Sequence, residues 1–410
     1  MNTSFGIMRA PDAVLFGSGQ RQALGRVAAE FGTSTLICTD ERFADCAEMQ
    51  EMLTSLETAG VAVKVFSGTQ PELPIDGIVE CQKAYADYRP DSVIGVGGGS
   101  CLDMAKFISL LMTHGGDLSD YYGEFNVPGP IIPVIAIPTT SGTGSEVTPV
   151  AVVADNARDL KVGVSSPYMI PKVAICDPEL TLTCPPGLTA VAGADALTHA
   201  IEAFTAINHE ATPDIGYERV FVGKNLLSDQ FALSAITEIS ASLVEAVENG
   251  SNLEARSRLM MGALLAGMAF GAAGTAAAHA IQYPVGAITK TAHGLGVASL
   301  MPYVMRFNAD GRETEYAEIS RAMGSESKDV KVLAEEAIER VRALFAEVRI
   351  PETLADLGLE EDRLDWVASQ SMSAARLINN NPRKLDIESI TTLVNSAFHG
   401  KTEQELANAV

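Results

Sequence analysis

Residues 91–112 read DSVIGVGGGSCLDMAKFISLLM, and this stretch decides the fold. Its start, Ser-Val-Ile-Gly-Val, is a short apolar run rich in β-branched residues, as a buried strand requires. From Ser100 to Met112 the apolar residues recur at helical spacing instead. Gly97, Gly98 and Gly99 lie between the two. Glycines at a strand-to-helix turn let the backbone approach an anion, which the free N–H groups of the helix start can bind. A tight connection alone would also use them, and the spacing is not the GxGxxG of the common dinucleotide fingerprint. Ser100 is placed to N-cap the helix.

The same alternation extends in both directions. DAVLFG (12–17), STLICTD (34–40) and VAVKVF (61–66) read as strands, separated by helical patterns in QRQALGRVAAEF, CAEMQEMLTSLETAG and DGIVECQKAYADYR. Such alternation predicts a parallel sheet with helices on both faces. PIIPVIAIP (130–138) is a further buried strand, VTPVAVVAD and LKVGVSS form a hairpin, and KVAICD (172–177) follows. After Pro185-Pro186-Gly187 the β-type runs give way to helical ones. We therefore expect an α/β nucleotide-binding domain over residues 1–185 and an all-α domain over residues 186–410.

A second loop, IPTTSGTGSEVT (137–148), also follows an apolar strand and is rich in Gly and hydroxyls. Two such loops at strand C-termini form the crevice in which open α/β sheets bind ligands. Asp40, closing its strand, could accept hydrogen bonds from a ribose 2′-hydroxyl and repel a 2′-phosphate; it could equally cap the next helix.

Composition excludes several classes. The 410 residues carry 52 acidic and 29 basic side chains, a net charge of −23, so the field repels a nucleic-acid backbone. Six scattered cysteines without a CxxC pair suit a reduced, cytoplasmic protein, and the N-terminus lacks a signal-peptide pattern. No charged residue occurs from Leu259 to Pro284. That run is long enough for a bilayer, which takes about 20 residues. It is dominated by Ala and Gly and lacks basic flanks, so we read it as a buried central helix.

Only six histidines are present, and three of them fall in apolar surroundings. Asp195 and His199 are spaced i, i+4 on one helix face, and His279 and His293 follow in the uncharged region and beyond it. Singly, each is most simply a hydrogen-bonded core residue. Together, one carboxylate and three imidazoles form an O/N set suited to Zn²⁺ or Fe²⁺, with an open position for a substrate oxygen. His114, His209 and His399 sit among polar or loop residues and are set aside.

These segments together resemble the iron-containing (group III) alcohol dehydrogenase family over nearly the whole chain. GVGGGSCLDMAK (95–106) and IPTTSGTGSEVT are similar to its cofactor loops. DPELTLTCPPGLTAVAGADALTHAIEAF (177–204) and HAIQYPVGAITKTAHG (279–294) are similar to its metal segments. The resemblance implies a two-domain dehydroquinate synthase-like architecture and hydride transfer between a primary alcohol, or an aldehyde, and NAD. It implies that Asp195, His199, His279 and His293 bind iron or zinc, and that Gly97, Gly98, Gly99 and Ser100 hold the pyrophosphate. Thr139, Thr140, Ser141 and Thr143 would line the nicotinamide side, Lys161 would touch the ribose, and Asp40 would favour NAD over NADP. A homodimer or larger assembly is implied as well, acting on a small molecule without a membrane or nucleic-acid partner.

Two departures bear on substrate. Tyr283 stands where many members carry a histidine assigned to proton relay; hydroxyacid–oxoacid transhydrogenases have a comparable tyrosine, which leaves a hydroxyacid open. Arg219, Lys224, Arg376 and Arg383 could recognise an anionic aldehyde of the semialdehyde, phosphonate or sulfonate type, or could be ordinary salt-bridge partners. From other classes, a dehydroquinate-synthase-like lyase would demand more Lys and Arg, and a non-catalytic nucleotide-binding protein remains open.

Overall fold

The computed structural model describes residues 5–155 and 160–401. Strands β1 (Ala13–Phe16), β2 (Ser34–Cys38), β3 (Ala62–Phe66), β4 (Ser92–Gly97), β6 (Val134–Pro138) and β9 (Val173–Cys176) form one sheet. Its order is β1-β9-β6-β4-β2-β3, and every pairing is parallel. A smaller sheet joins β5 (Gly123–Glu124), β8 (Leu160–Ser165) and β7 (Val150–Asp155) in that order, with β7 and β8 antiparallel.

The period of two explains how the large sheet is buried on both faces. Leu36, Val93 and Val134 face one helical layer with Met104 and Phe107, whereas Ile37, Ile94 and Ile135 face the other with Val27 and Met52. Central strands covered twice have no solvent side, so β4 and β6 are buried along their whole length. β4 and β6 are neighbours in register, Gly97 opposite Pro138. The two Gly-rich loops that follow them therefore emerge side by side at the same sheet edge.

From Pro186 onward the described chain is helical apart from one isolated bridge, Asn208 to Gly223. Residues 5–9 lie against this helical part rather than the sheet: Leu226 N–H donates to Phe5 O, and Arg9 donates to Val220 O. A separate apolar core unites the helices, with Phe204, Ile239, Leu259 and Ile281 among its buried members.

The uncharged region departs from the single buried helix expected of it. It belongs to two helices, Leu253–Ala273 and Ala277–Thr289, that meet at 103°. Gly274, at φ 81°, ends the first helix in a conformation that a residue with a Cβ rarely adopts. The freed donors of the second helix are met by a side chain: Glu202 accepts Ala276 N–H and Ala278 N–H, both at 2.8 Å. Among the described residues no single helix is long and apolar enough to cross a membrane.

Candidate functional site

Helix Pro186–Thr205 carries Asp195, His199 and Glu202 on one face, since three, four and seven residues bring side chains to the same side. The bend at Gly274 turns His279 toward that face. Asp195 Oδ1 then lies 3.8 Å from His199 Nε2 and 3.7 Å from His279 Nε2. All three residues are buried, and one ligand atom from each falls within 4.8 Å of the others. His293, the first residue of helix His293–Asn308, stands beside this trio, its ring centroid 5.4 Å from that of His279.

Asp195 Oδ1 and His279 Nε2 are buried without any hydrogen-bond partner. Orphaned polar atoms of this kind are costly in a protein interior and call for an explanation. A divalent cation provides it: ligand bonds of about 2.0–2.2 Å place neighbouring donors close to the spacing seen here. Burial pushes the Asp195 carboxyl up to about 6 and lowers the His199 and His293 imidazoles well below their ordinary range. Both rings are thus neutral near pH 7, the form that binds metal. The donor set fits the group.

Glu202 is the residue that sequence reasoning missed. Its carboxylate lies 2.6 Å from His279 Nδ1 while also accepting Ala276 and Ala278 N–H. Burial opposes its ionisation, but the His279 ring and those backbone donors hold it below the usual carboxylate range. An ionised carboxylate can only accept, so Nδ1 carries the proton and Nε2 keeps its lone pair toward Asp195. The signal was present in the sequence: Glu202 follows His199 by three and Asp195 by seven, on the same helical face. Phe270 was also missed; its ring stacks on His199 at 4.3 Å between centroids and closes the apolar side of the cluster.

The trio opens into a cavity of about 1470 Å³ that runs to the Gly-rich loops. Gly98, Gly99, Ser100, Thr140, Thr143, Asp40 and Lys161 line it, as do His293 and Tyr283. Gly97, Thr139 and Ser141 are buried behind that wall. The two loops touch, because a Cβ on Gly99 would come within 2.6 Å of Thr143 Cγ2. Thr139 N–H donates to Gly97 O at 2.9 Å. Gly97 itself has φ 145°, and a Cβ there would lie 2.5 Å from Cys101 Sγ.

Ser100 does not cap the following helix. That helix runs Gly99–His114, its N-cap is Gly98, and no side chain accepts there, so the first N–H groups are left for a ligand. Below the loops, Asp103 accepts from Ser145 Oγ at 2.5 Å and Val152 N–H at 2.9 Å, while Lys106 donates to Thr148 O and Val150 O. These buried contacts tie the second loop to the first helix.

Asp40 caps the helix that follows it and also faces the Gly97 turn. Oδ1 accepts Phe43 N–H at 2.9 Å as an N-cap, while Oδ2 lies near the Gly97 turn, 3.9 Å from Cys101 Sγ. Lys161 on β8 is ion-paired with Glu72 in the cavity wall. Of the four basic residues considered for anions, Arg376 alone lines this cavity. Lys224 pairs with Asp229 at 2.8 Å, Arg383 donates to Phe307 O, and Arg219 is exposed elsewhere.

Comparison with known proteins agrees with this arrangement. A family model described as iron-containing alcohol dehydrogenase matches residues 11–178. A second, the C-terminal part of the Fe-containing alcohol dehydrogenase family, matches residues 189–398. The chain is 33% identical to the NAD-dependent methanol dehydrogenase of Bacillus methanolicus, over 95% of this chain and 98% of that one. It is 32% identical to the sulfoacetaldehyde reductase of Bilophila wadsworthia, over 92% and 95%. A solved structure of 1,3-propanediol oxidoreductase superposes with a TM-score of 0.88 at 31% identity, covering 96% of this chain and all of that one. With family models spanning both the parallel sheet and the helices that bring Asp195, His199 and His279 together, the chain belongs to the iron-containing alcohol dehydrogenase family.

Proposed function

We propose that the protein is a metal-dependent, NAD-linked alcohol dehydrogenase or aldehyde reductase. The observation that carries this reading is the single cavity onto which both strand-end loops and the Asp195–His199–His279 cluster open. Asp195, His199 and His279, with His293 beside them, would hold a divalent metal, iron or zinc, which would supply Lewis acidity toward the substrate oxygen, with NAD as the hydride carrier.

The remaining work falls to the chain. Backbone N–H groups at Gly98–Ser100 bind the pyrophosphate at the helix start, and Thr140 and Thr143, on the adjoining loop, line the nicotinamide side. Lys161, steadied by Glu72, reaches the ribose. Phe270 and Phe221 keep water from the reacting carbon. Tyr283, its ring centroid 6.1 Å from that of His293, is pushed up by burial and keeps its proton near neutral pH. It therefore orients a substrate oxygen by hydrogen bonding and does not act as a base. All six cysteines are free, in keeping with a reducing, cytoplasmic compartment.

Asp40 sets the choice of dinucleotide. Asp40→Ala should lower the NAD-to-NADP ratio of kcat/KM by about 10²-fold, since a like charge beside a 2′-phosphate costs several kcal/mol. Loss of the cap should also cost ~1 kcal/mol of stability. An unchanged ratio in steady-state assays would remove Asp40 from cofactor selection.

The function is tested with a primary alcohol deuterated at C1. Metal-loaded protein should move the deuterium to C4 of the nicotinamide, read by mass spectrometry and NMR of the NADH formed. NAD left unreduced across a panel of alcohols, or label released to water, would refute the reading.

A further inference from the structure

We infer that the substrate carries an oxyanion, a carboxylate or sulfonate, at the end remote from the reacting carbon, and that Arg376 binds it. This deepens the dehydrogenase reading above and rests on it.

Arg376 lies on helix Ala375–Asn380, which packs against the helix that bears His279 and Tyr283. Its side chain faces the reaction cavity. The guanidinium carbon stands 4.3 Å from the Phe221 ring centroid, and Nη1 is buried with no hydrogen-bond partner. No ion pair to it forms among the described residues, although the chain has 52 carboxylates for 29 basic groups. The two buried arginines Arg256 and Arg21 are satisfied by contrast: Arg256 donates to Thr189, Gly250 and Cys184, and Arg21 pairs with Asp177, Glu179 and Glu51.

Arg376 is half-buried, but its Nη1 is removed from water without an acceptor, and stacking on one aromatic ring offsets only part of that cost. The acidic neighbours are committed. Glu124, also in the cavity wall, accepts Val220 N–H at 2.8 Å, and Glu202 is held by His279 and two backbone donors. Burial weakens the Arg376 charge, while Tyr283, Glu124 and Glu202 favour it. The half-buried guanidinium lines the cavity, so the part of its fork outside the buried Nη1 faces the substrate side, where it can take the oxygens of a carboxylate or sulfonate.

The placement also sets substrate polarity. The metal cluster would hold the alcohol or aldehyde oxygen and Arg376 the anion, both on the one cavity, with Tyr283 on its wall within electrostatic reach of Asp195 and Arg376. Phe221 and Phe270 enclose the carbon chain. An alcohol with an apolar tail would leave Nη1 desolvated and unpaired.

The test compares 4-hydroxybutyrate with butane-1,4-diol, which have the same chain length and differ in charge, and adds 3-hydroxypropane-1-sulfonate to separate carboxylate from sulfonate. Metal-loaded wild type should prefer an anionic alcohol. Arg376→Gln should collapse the anion-to-diol ratio of kcat/KM by about 10²-fold, chiefly through KM, as expected when one partner of a buried charge pair is removed. Arg376→Lys should recover part of it. A ratio unmoved by Arg376→Gln overturns the inference while leaving the dehydrogenase reading standing. Should none of the three alcohols be oxidised, the dehydrogenase reading is decided by the wider panel of alcohols instead. Calorimetry of succinate with the metal-loaded protein then decides the anion site: binding lost in Arg376→Gln upholds it, and no binding to wild type overturns it.

Discussion

Asp195→Asn is expected to strengthen the metal-free fold while destroying metal binding. The Asp195 carboxyl is buried, and its Oδ1 has no hydrogen-bond partner. Burial raises its pKa from the ordinary 3.8 to about 6, so the folded state holds a proton that the unfolded chain releases. Stability of the metal-free wild type therefore falls as pH rises from about 4 to 6, by roughly 3 kcal/mol at about 1.36 kcal/mol per unit. An amide at this position does not ionise, and the variant should show no such fall. Near pH 7 the metal-free variant should melt above the metal-free wild type. The order reverses once metal is added, because the amide is a weaker ligand and binding no longer stabilises the fold. Loss of Lewis acidity worth several kcal/mol should lower kcat/KM by about 10³-fold. Paired melting curves with and without metal, together with metal analysis of the purified variant, read both effects. A variant that melts below wild type without metal and retains its metal would contradict this account of the cluster.

Glu202→Gln should act on the same site without touching a ligand position. Glu202 serves two helices at once: it satisfies the N–H groups exposed by the bend at Gly274 and fixes the His279 tautomer. A glutamine amide nitrogen presented to Nδ1 would favour the other tautomer and move a proton onto Nε2, where the metal needs a lone pair. We expect metal affinity to fall about 10–100-fold, the usual effect of removing a carboxylate behind a ligating histidine. Activity at saturating metal should recover substantially, which separates positioning from catalysis. Glu202→Ala is more severe, since it strands two backbone donors and a ring nitrogen and should cost about 3–5 kcal/mol. If Glu202→Gln bound metal as tightly as wild type, the tautomer argument would fail.

Most of the α/β half was legible because its code is local. Runs such as STLIC and VIAIP are apolar, β-branched and punctuated by Gly or Pro, and the strand–helix alternation leaves a parallel sheet as the consistent arrangement. Asp195 and His199 could be placed on one face by helical spacing alone. The bend between Ala273 and Ala277 could not be read the same way. Its cause is a contact to Glu202, 74 residues from Ala276, and a window of neighbouring residues carries no trace of it. Ser100 failed as a cap because the helix begins two residues earlier than that cap requires, at Gly99 with Gly98 at the N-cap, leaving its first N–H groups free. Arg376 was one of four cations the sequence could not rank. Only packing distinguishes a guanidinium stacked in the cleft from Lys224, which finds Asp229 five residues away.

The central claim is that one metal ion in the Asp195–His199–His279 cluster drives hydride transfer to NAD in the adjoining cleft. It is tested most directly by titrating chelator-stripped protein with Fe²⁺ or Zn²⁺ while following NADH production from an alcohol. The account predicts no turnover in the stripped protein, then a linear rise that breaks at one equivalent of metal per chain and is absent in Asp195→Asn. Full turnover by the stripped protein, or the same metal response in Asp195→Asn, would contradict it.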